Sequence, residues 1–239
     1  MNESFLSAPM QREVGGYTLH LRQFEVARYA SQQSLSHGVM PYGLTLPEDL
    51  QRAVAKRQAE FLAGRVAACD ALQAAGVPPQ MLAVGKHRAP RWPQSVVGSI
   101  SHNANLALAV AQRVDSDALL LGVDAESRID EPPLPAIQST IATAQEAVIL
   151  ARVSLNAAQR VTTLFSAKES LFKALYPRVG QYLEFHDSRL LTWDEANGRL
   201  TLQLVQRAAE LAGSAWVFEV HYRWDEQRVI TLAQCHASS

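Results

Sequence analysis

Along this 239-residue chain, apolar and polar positions alternate in short runs, broken by two longer stretches with a helical period. Residues 1–16 show no regular period and are expected to be irregular. Residues 17–24 alternate as a half-buried strand does, and residues 31–43, rich in Ser, Gln and Gly, read as a loop. Thr45-Leu46-Pro47-Glu48 offers a capping box with proline at an early position, where its missing N–H does no harm. Leu50, Val54, Phe61, Val66, Cys69 and Leu72 then recur at helical spacing, so one helix with a core-facing stripe is predicted up to Gly76, and Pro78-Pro79 prevent its resumption. Residues 83–99 read as a long loop. The apolar runs at 106–111 and 118–123, separated by Asp115-Ser116-Asp117, predict a buried hairpin. His102 stands near the start of its first strand, with Asp124 and Glu126 near the end of its second, all at one edge.

Residues 128–139, with Pro132, Pro133 and Pro135, read as a flexible connection. Thr143-Ala144-Gln145-Glu146 is a second capping box and opens a short helix. A longer helix is predicted over 157–176, with Pro177 and Gly180 just beyond it. The tail is β-rich: residues 190–193 and 200–205 flank Asn197-Gly198, and residues 216–224 and 228–233 flank Asp225-Glu226-Gln227, giving two hairpins. Helices with antiparallel strands in both halves predict an α+β fold in two lobes, 1–117 and 118–239.

Composition narrows the class. The chain is 48% hydrophobic and 19% charged with a formal net charge of −1, so neither nonspecific nucleic-acid binding nor a strongly basic membrane face is expected. Two cysteines, Cys69 and Cys235, make neither a disulfide framework nor a zinc set, and Cys69 falls at a buried helical position. Residues 1–10 lack the pattern of a secretory signal, and no apolar run is long enough to span a bilayer. A cytoplasmic protein is the expectation.

The chemistry concentrates in Phe165-Ser166-Ala167-Lys168-Glu169-Ser170-Leu171-Phe172-Lys173. Glu169 and Lys173 are four apart and share a helix face at the edge of the buried stripe formed by Val161, Leu164, Phe165, Leu171, Phe172 and Leu175. Taken alone they read as a solvated ion pair. A second acidic pair, Asp124-Ala125-Glu126, changes the picture: carboxylates two apart on a strand share a face and repel unless a cation or a basic group lies between them. Three carboxylates with Lys168 and Lys173 suit a divalent cation and a polyphosphate. A turn after a strand also tolerates such acids. On the first long helix Lys56, Arg57 and Arg65 are phosphate contacts only if an anion docks there, while Arg52 belongs to a solvated face. Residues 85–93, Gly-Lys-His-Arg-Ala-Pro-Arg-Trp-Pro, fit either the wall of a site for a phosphorylated ligand or a surface loop whose Trp92 fills a local gap.

Together these segments resemble the phosphopantetheinyl transferases of the surfactin and enterobactin synthetase class. The resemblance rests on Gly122-Val123-Asp124-Ala125-Glu126, on Phe165 to Lys173 as an aromatic-x-x-K-E-x-x-x-K pattern, and on Arg88-Ala89-Pro90-Arg91-Trp92-Pro93 followed by Gly98-Ser99-Ile100-Ser101-His102. It covers about 53–177. Phe165 stands where many relatives have Trp, and Ala125 where others have Ile or Val. The resemblance implies two similar α+β halves related by a pseudo-twofold axis, with coenzyme A as substrate between them. It also implies transfer of the 4′-phosphopantetheine arm to a serine of an apo acyl or peptidyl carrier protein, releasing adenosine 3′,5′-bisphosphate. Asp124, Glu126 and Glu169 would hold Mg²⁺, with Mn²⁺ as a substitute. Glu169 would be the base and Lys173 would steady the phosphates, with Lys168 as a helper. Ser101 and His102 would touch the coenzyme's phosphates, and Arg88, Arg57 and Lys56, with Arg65, would hold its 3′-phosphate region. A monomer is expected, since one chain supplies both halves. A non-catalytic coenzyme A-binding protein is the alternative; all three acids being present disfavours it. A Mg²⁺-dependent nucleotide hydrolase lacks its usual Gly-rich phosphate loop.

Overall fold

The computed structural model describes residues 4–34, 40–116, 118–130 and 133–236. The chain divides into two compact units, one of Met1–Glu13 and Tyr17–Arg113, the other of Val14–Gly16 and Val114–Ser239. Both combine helices with antiparallel sheet, so the fold is α+β. Among the described residues no helix is long and apolar enough to cross a membrane. Asp117, residues 35–39 of the expected loop, and Glu131 and Pro132 of the expected connection lie outside the described residues.

The first unit is built on a four-stranded sheet of β1 (Met10–Val14), β2 (Tyr17–Gln23), β3 (Val96–Asn103) and β4 (Leu106–Arg113), in the order β1-β2-β4-β3. β1 falls in the stretch expected to be irregular: as an edge strand it buries one residue fully, Val14, so its period is faint in the sequence. Helix α1 (Val26–Ser34) likewise runs into the expected loop. The single helix expected from residue 46 onward is two, α2 (Glu48–Gln51) and α3 (Ala55–Ala74). Thr45 caps neither: Pro47 stands at the N-cap of α2 without a side-chain bond. Val54, expected in the core, is the extended N-cap residue of α3 and is 74% exposed.

α3 is buried on nearly every side from Gln58 to Leu72. Its small residues let it lie close to the sheet; a Cβ on Gly64 would already stand 3.1 Å from Ile100 Cγ2. Ala63, Val66 and Cys69 pack toward Ala107, while Ala67, Ala68, Ala71 and Leu72 share a cluster with Ala109, Leu82 and Val96. A buried ion pair ties α3 to β2. Arg22 donates to Asp70 through Nε at 2.6 Å and through Nη2 at 2.8 Å, and Tyr42 Oη donates to the same carboxylate at 2.6 Å.

The second unit carries a five-stranded antiparallel sheet of β5 (Leu119–Ser127), β6 (Ser188–Asp194), β7 (Arg199–Leu204), β8 (Val217–Trp224) and β9 (Arg228–His236), in the order β5-β9-β8-β7-β6. The expected hairpin of β4 and β5 is therefore not formed. β4 lies between β2 and β3, whereas β5 pairs with β9, Asp124 opposite Thr231. Both runs are apolar without alternation because both strands are buried on both faces, and such runs carry no register information. Strand pairing thus does not bring His102 to Asp124 and Glu126. The two tail hairpins form as expected, with α7 (Gln206–Ala212) between them.

Helix α4 (Leu134–Ile141) occupies much of the expected connection. Thr143 and Glu146 form the expected capping box at the start of α5 (Ala144–Leu150). α6 (Ala157–Val179) starts at a capping box of Asn156 and Gln159 and takes Pro177 into its last turns. It ends at Gly180, whose φ of 67° is the left-handed conformation that glycine adopts without steric cost. Three parallel stripes run along α6. Val161, Leu164, Leu171 and Leu175 enter the core, with Lys168 in the same stripe. Thr163, Ala167, Ser170 and Ala174 are small. Thr162, Ser166, Glu169 and Lys173 are polar. The small stripe brings α6 against β5 at Gly122, where a Cβ would stand 2.0 Å from the Ser170 carbonyl oxygen and 2.5 Å from Ala174 N.

Candidate functional site

In the second unit β5 and α6 present the acids and the lysine. Asp124 is 3% exposed. Its Oδ1 accepts from Lys173 Nζ at 2.6 Å and its Oδ2 from Ser166 Oγ at 2.8 Å. Lys173, itself about one-third exposed, joins that buried carboxylate to the surface. Glu126, two residues along β5, is pushed up to about 7 by burial and then by the charge of Asp124; Lys173 opposes the rise and Glu169 adds to it. Burial raises Glu169 as well, against the pull of Lys173 and with a push from Asp124. The three acids therefore feel one another's charge, and Lys173 acts on both glutamates. Among the described residues, no three His, Cys, Asp or Glu side chains are gathered as a ready-made metal cage.

Lys168 does something different from what its place beside Glu169 suggested. It is fully buried. Its Nζ donates to the carbonyls of Ile141, Phe185 and Ser188 at 2.8, 2.9 and 3.0 Å and pairs with Glu146 Oε1 at 2.8 Å. Glu146 also accepts from Thr143 N, Thr143 Oγ1 and Leu190 N. Burial works against its charge, but Lys168 and these donors hold Glu146 below the usual carboxylate range. An ammonium with every proton engaged inside the core has none left for a phosphate, so Lys168 leaves the set of ligand contacts. Lys168→Met is expected to cost about 3–5 kcal/mol of stability, the usual effect of stripping one partner from a buried ion pair. Thermal melting checks this. An unchanged melting temperature with weakened ligand binding would return Lys168 to the ligand set.

The first unit holds a cavity of about 140 Å³ lined by Arg57, Arg65 and Phe61 of α3, by Ile100 and His102 of β3, and by Val84, Arg88 and Pro90 of the intervening loop. The loop is more ordered than expected. Arg91 N donates to Ala83 O at 3.0 Å and Gly85 N to Ala89 O at 2.7 Å, closing a small hairpin. At its tip His87 and Arg88 have φ of 52° and 66°, a backbone region that side chains disfavour and that is kept where surrounding structure over-determines it. Trp92 closes the loop against the sheet, its ring 2.7 Å from where a Cβ on Gly98 would stand. Arg65 donates Nε to Leu82 O at 3.1 Å and lies 4.6 Å over the Phe61 ring. Burial, and then the charge of Arg57, lower it to about 10, so it remains a cation at neutral pH.

The remaining expected contacts divide. Lys56 is exposed, 3.9 Å from Glu60, and is not part of the cavity lining. Ser101 and His102 are successive residues of β3 and so point to opposite faces, and His102 alone of the two lines the cavity. Asp49 and Glu60 line it too and were not singled out from the sequence. In the second unit the overlooked residues are Ser166, which stood inside the motif without a role, and Thr231. Thr231 is the one polar residue in the buried run Val229-Ile230-Thr231-Leu232-Ala233, and that interruption was the available signal.

Comparison with known proteins places both halves. Residues 46–112 match the family described as the 4′-phosphopantetheinyl transferase N-terminal domain, and residues 120–233 match the 4′-phosphopantetheinyl transferase superfamily. The match thus reaches beyond 53–177 on both sides. The chain is 35% identical over 224 residues to enterobactin synthase component D of Escherichia coli O157:H7, covering 92% of this chain and 94% of that one. It is 39% identical over 174 residues to the 4′-phosphopantetheinyl transferase Svp of Streptomyces mobaraensis, 69% and 68% of the two chains. It is 31% identical over 215 residues to the 4′-phosphopantetheinyl transferase PptT of Mycobacterium tuberculosis, 87% and 91%.

Proposed function

The chain belongs to the 4′-phosphopantetheinyl transferase superfamily, and we propose that it moves the 4′-phosphopantetheine arm of coenzyme A to a serine of an apo acyl or peptidyl carrier protein. The observation that carries this reading is the cluster on β5 and α6, where Asp124, Glu126 and Glu169 are coupled by charge and Lys173 contacts Asp124. The carrier serine Oγ attacks the phosphorus next to the pantetheine. A new P–O bond forms, the P–O bond to the adenylate phosphate breaks, and adenosine 3′,5′-bisphosphate leaves. Glu169 takes the serine proton, directly or through one water; its burial raises its affinity for that proton. Lys173 supplies a cation to the phosphates. In the first unit Arg57, Arg65 and Arg88, with His102, are assigned to the nucleotide phosphates.

The acids also fit a hard divalent cation. All their donors are carboxylate oxygens, and Glu126, raised first by burial, is raised further by the charges of Asp124 and Glu169, the part that a cation would offset. Asp124, Glu126 and Glu169 would hold Mg²⁺, or Mn²⁺ in its place. When bound it would neutralise charge developing on the transferred phosphate.

The test is the intact mass of apo carriers of the fatty-acid, polyketide and nonribosomal-peptide classes after incubation with the protein, coenzyme A and Mg²⁺. A gain of the phosphopantetheine arm that chelation abolishes is expected. No gain on any class, with coenzyme A still bound, overturns the reading. Arg88→Ala is expected to raise the KM for coenzyme A roughly 10- to 100-fold, the value of a lost charge-assisted hydrogen bond, and to change kcat far less. Steady-state kinetics check it; a fall in kcat at unchanged KM contradicts the assignment.

A further inference from the structure

Ser166 and Thr231 are fully buried hydroxyls that the proposed reaction does not use. Ser166 Oγ lies 2.8 Å from Asp124 Oδ2 and 2.9 Å from Thr231 Oγ1. Thr231 Oγ1 also lies 2.9 Å from the Ser166 carbonyl oxygen. Counting protons orders these contacts. Lys173 has donors only, so Asp124 Oδ1 accepts. With Asp124 a carboxylate, Oδ2 accepts as well, and the single proton of Ser166 goes to it. Ser166 Oγ then has only lone pairs to offer. Thr231 must therefore point its proton at Ser166, at Oγ or at the carbonyl.

We propose that Ser166, backed by Thr231, is a positioning residue for phosphopantetheinyl transfer: it fixes Asp124 by one oxygen so that the other is presented to Lys173. The terminal torsion of an aspartate is broad, and a donor on one oxygen is what narrows it. The two groups come from different elements, α6 and β9, while Asp124 stands on β5, so the arrangement also sets where that carboxylate lies relative to the polar stripe of α6. Second partners of this kind orient the acids of metal sites, and losing one typically costs about 10- to 100-fold in metal affinity or activity. The inference rests on the transferase reading of the β5–α6 cluster.

The experiment compares Thr231→Val, Thr231→Ser and Ser166→Ala in the full chain. Mn²⁺ binding is titrated by electron paramagnetic resonance in the presence of coenzyme A, alongside the Mg²⁺ dependence of transfer and thermal melting. Thr231→Val keeps the shape and loses the hydroxyl; Thr231→Ser keeps the hydroxyl and loses a methyl. The expected result is Mn²⁺ binding weakened about tenfold or more in Thr231→Val and Ser166→Ala, with a raised Mg²⁺ requirement. Thr231→Ser stays close to the parent, and the KM for coenzyme A is unchanged throughout. A packing role alone predicts the reverse order, serine worse than valine. Wild-type Mn²⁺ affinity in Thr231→Val, or equal losses in valine and serine, overturns the inference while leaving the transferase reading intact. If Ser166→Ala does not fold, the Thr231 pair decides. A parent protein that neither binds Mn²⁺ nor transfers overturns the function and this inference with it.

Discussion

Gly122→Ala is expected to break the second unit. The added Cβ would stand 2.0 Å from the Ser170 carbonyl oxygen, 2.5 Å from Ala174 N and 3.0 Å from Ala174 Cα, all backbone atoms of α6. No rotamer change relieves contacts with backbone, so α6 must move off β5. That displacement costs more than the roughly 1–3 kcal/mol of ordinary overpacking. It would also pull the polar stripe of α6 away from Asp124, where the contact of Lys173 is 2.6 Å and that of Ser166 2.8 Å. Against a total stability of about 5–15 kcal/mol this is a large loss. The melting transition of the second unit is expected to fall by about 10 °C or more, at roughly 2–4 °C per kcal/mol for a chain of this size. Transfer activity should fall with it. A Gly122→Ala protein that melts within a few degrees of the parent would show that α6 and β5 are not held at this contact.

Some residues whose surroundings are local were readable in the sequence, although Thr45, three positions before Glu48, caps neither α2 nor α3. The Thr143 capping box needs only Glu146, three positions on, and it forms. Asn197-Gly198 needs only its flanking strands, and the hairpin forms. Cys69 sits on a regular helical stripe and is buried. Strand pairing between distant segments is not legible in this way. β5 follows the apolar run of β4 in the chain, but its partner is β9, about a hundred residues later, and nothing in a run buried on both faces names that partner. The place of Lys168 is decided by its position on the helix rather than by its charge. It occupies the place in the series Val161, Leu164, Lys168, Leu171, Leu175 where the 3.6-residue period requires a core residue, and its counter-charge, Glu146, lies on another helix. Of the acidic cluster, Asp124, Glu126, Glu169 and Lys173 were legible as residues. The hydroxyls of Ser166 and Thr231 were not, since their role appears only when β9 is laid beside β5.

Glu169→Gln is expected to abolish transfer while coenzyme A still binds. The substitution keeps the shape of the side chain and removes its charge and its ability to take a proton. The devices that place α6 are untouched: Lys168 remains bonded to Ile141, Phe185 and Ser188, and Gly122 still admits Ser170 and Ala174. The arginines assigned to the nucleotide line a cavity in the other unit, and Arg65 keeps its bond to the Leu82 carbonyl. What is lost is one acid of three. The raised proton affinity of Glu169 comes first from burial, so the protein carries a carboxylate in a place unfavourable to its charge, partly compensated by Lys173 four residues on. A general base of this kind contributes about 10²- to 10⁴-fold, and a drop of at least the lower figure is expected in single-turnover transfer followed by intact mass. Calorimetry should return coenzyme A affinity near that of the parent. Removing the charge also takes away one of the contributions that raise Glu126, so that residue should titrate lower in the variant, which carboxyl-selective NMR can follow. Turnover at the parent's rate would remove Glu169 from the base role. Loss of coenzyme A binding together with turnover would assign it to holding the substrate instead.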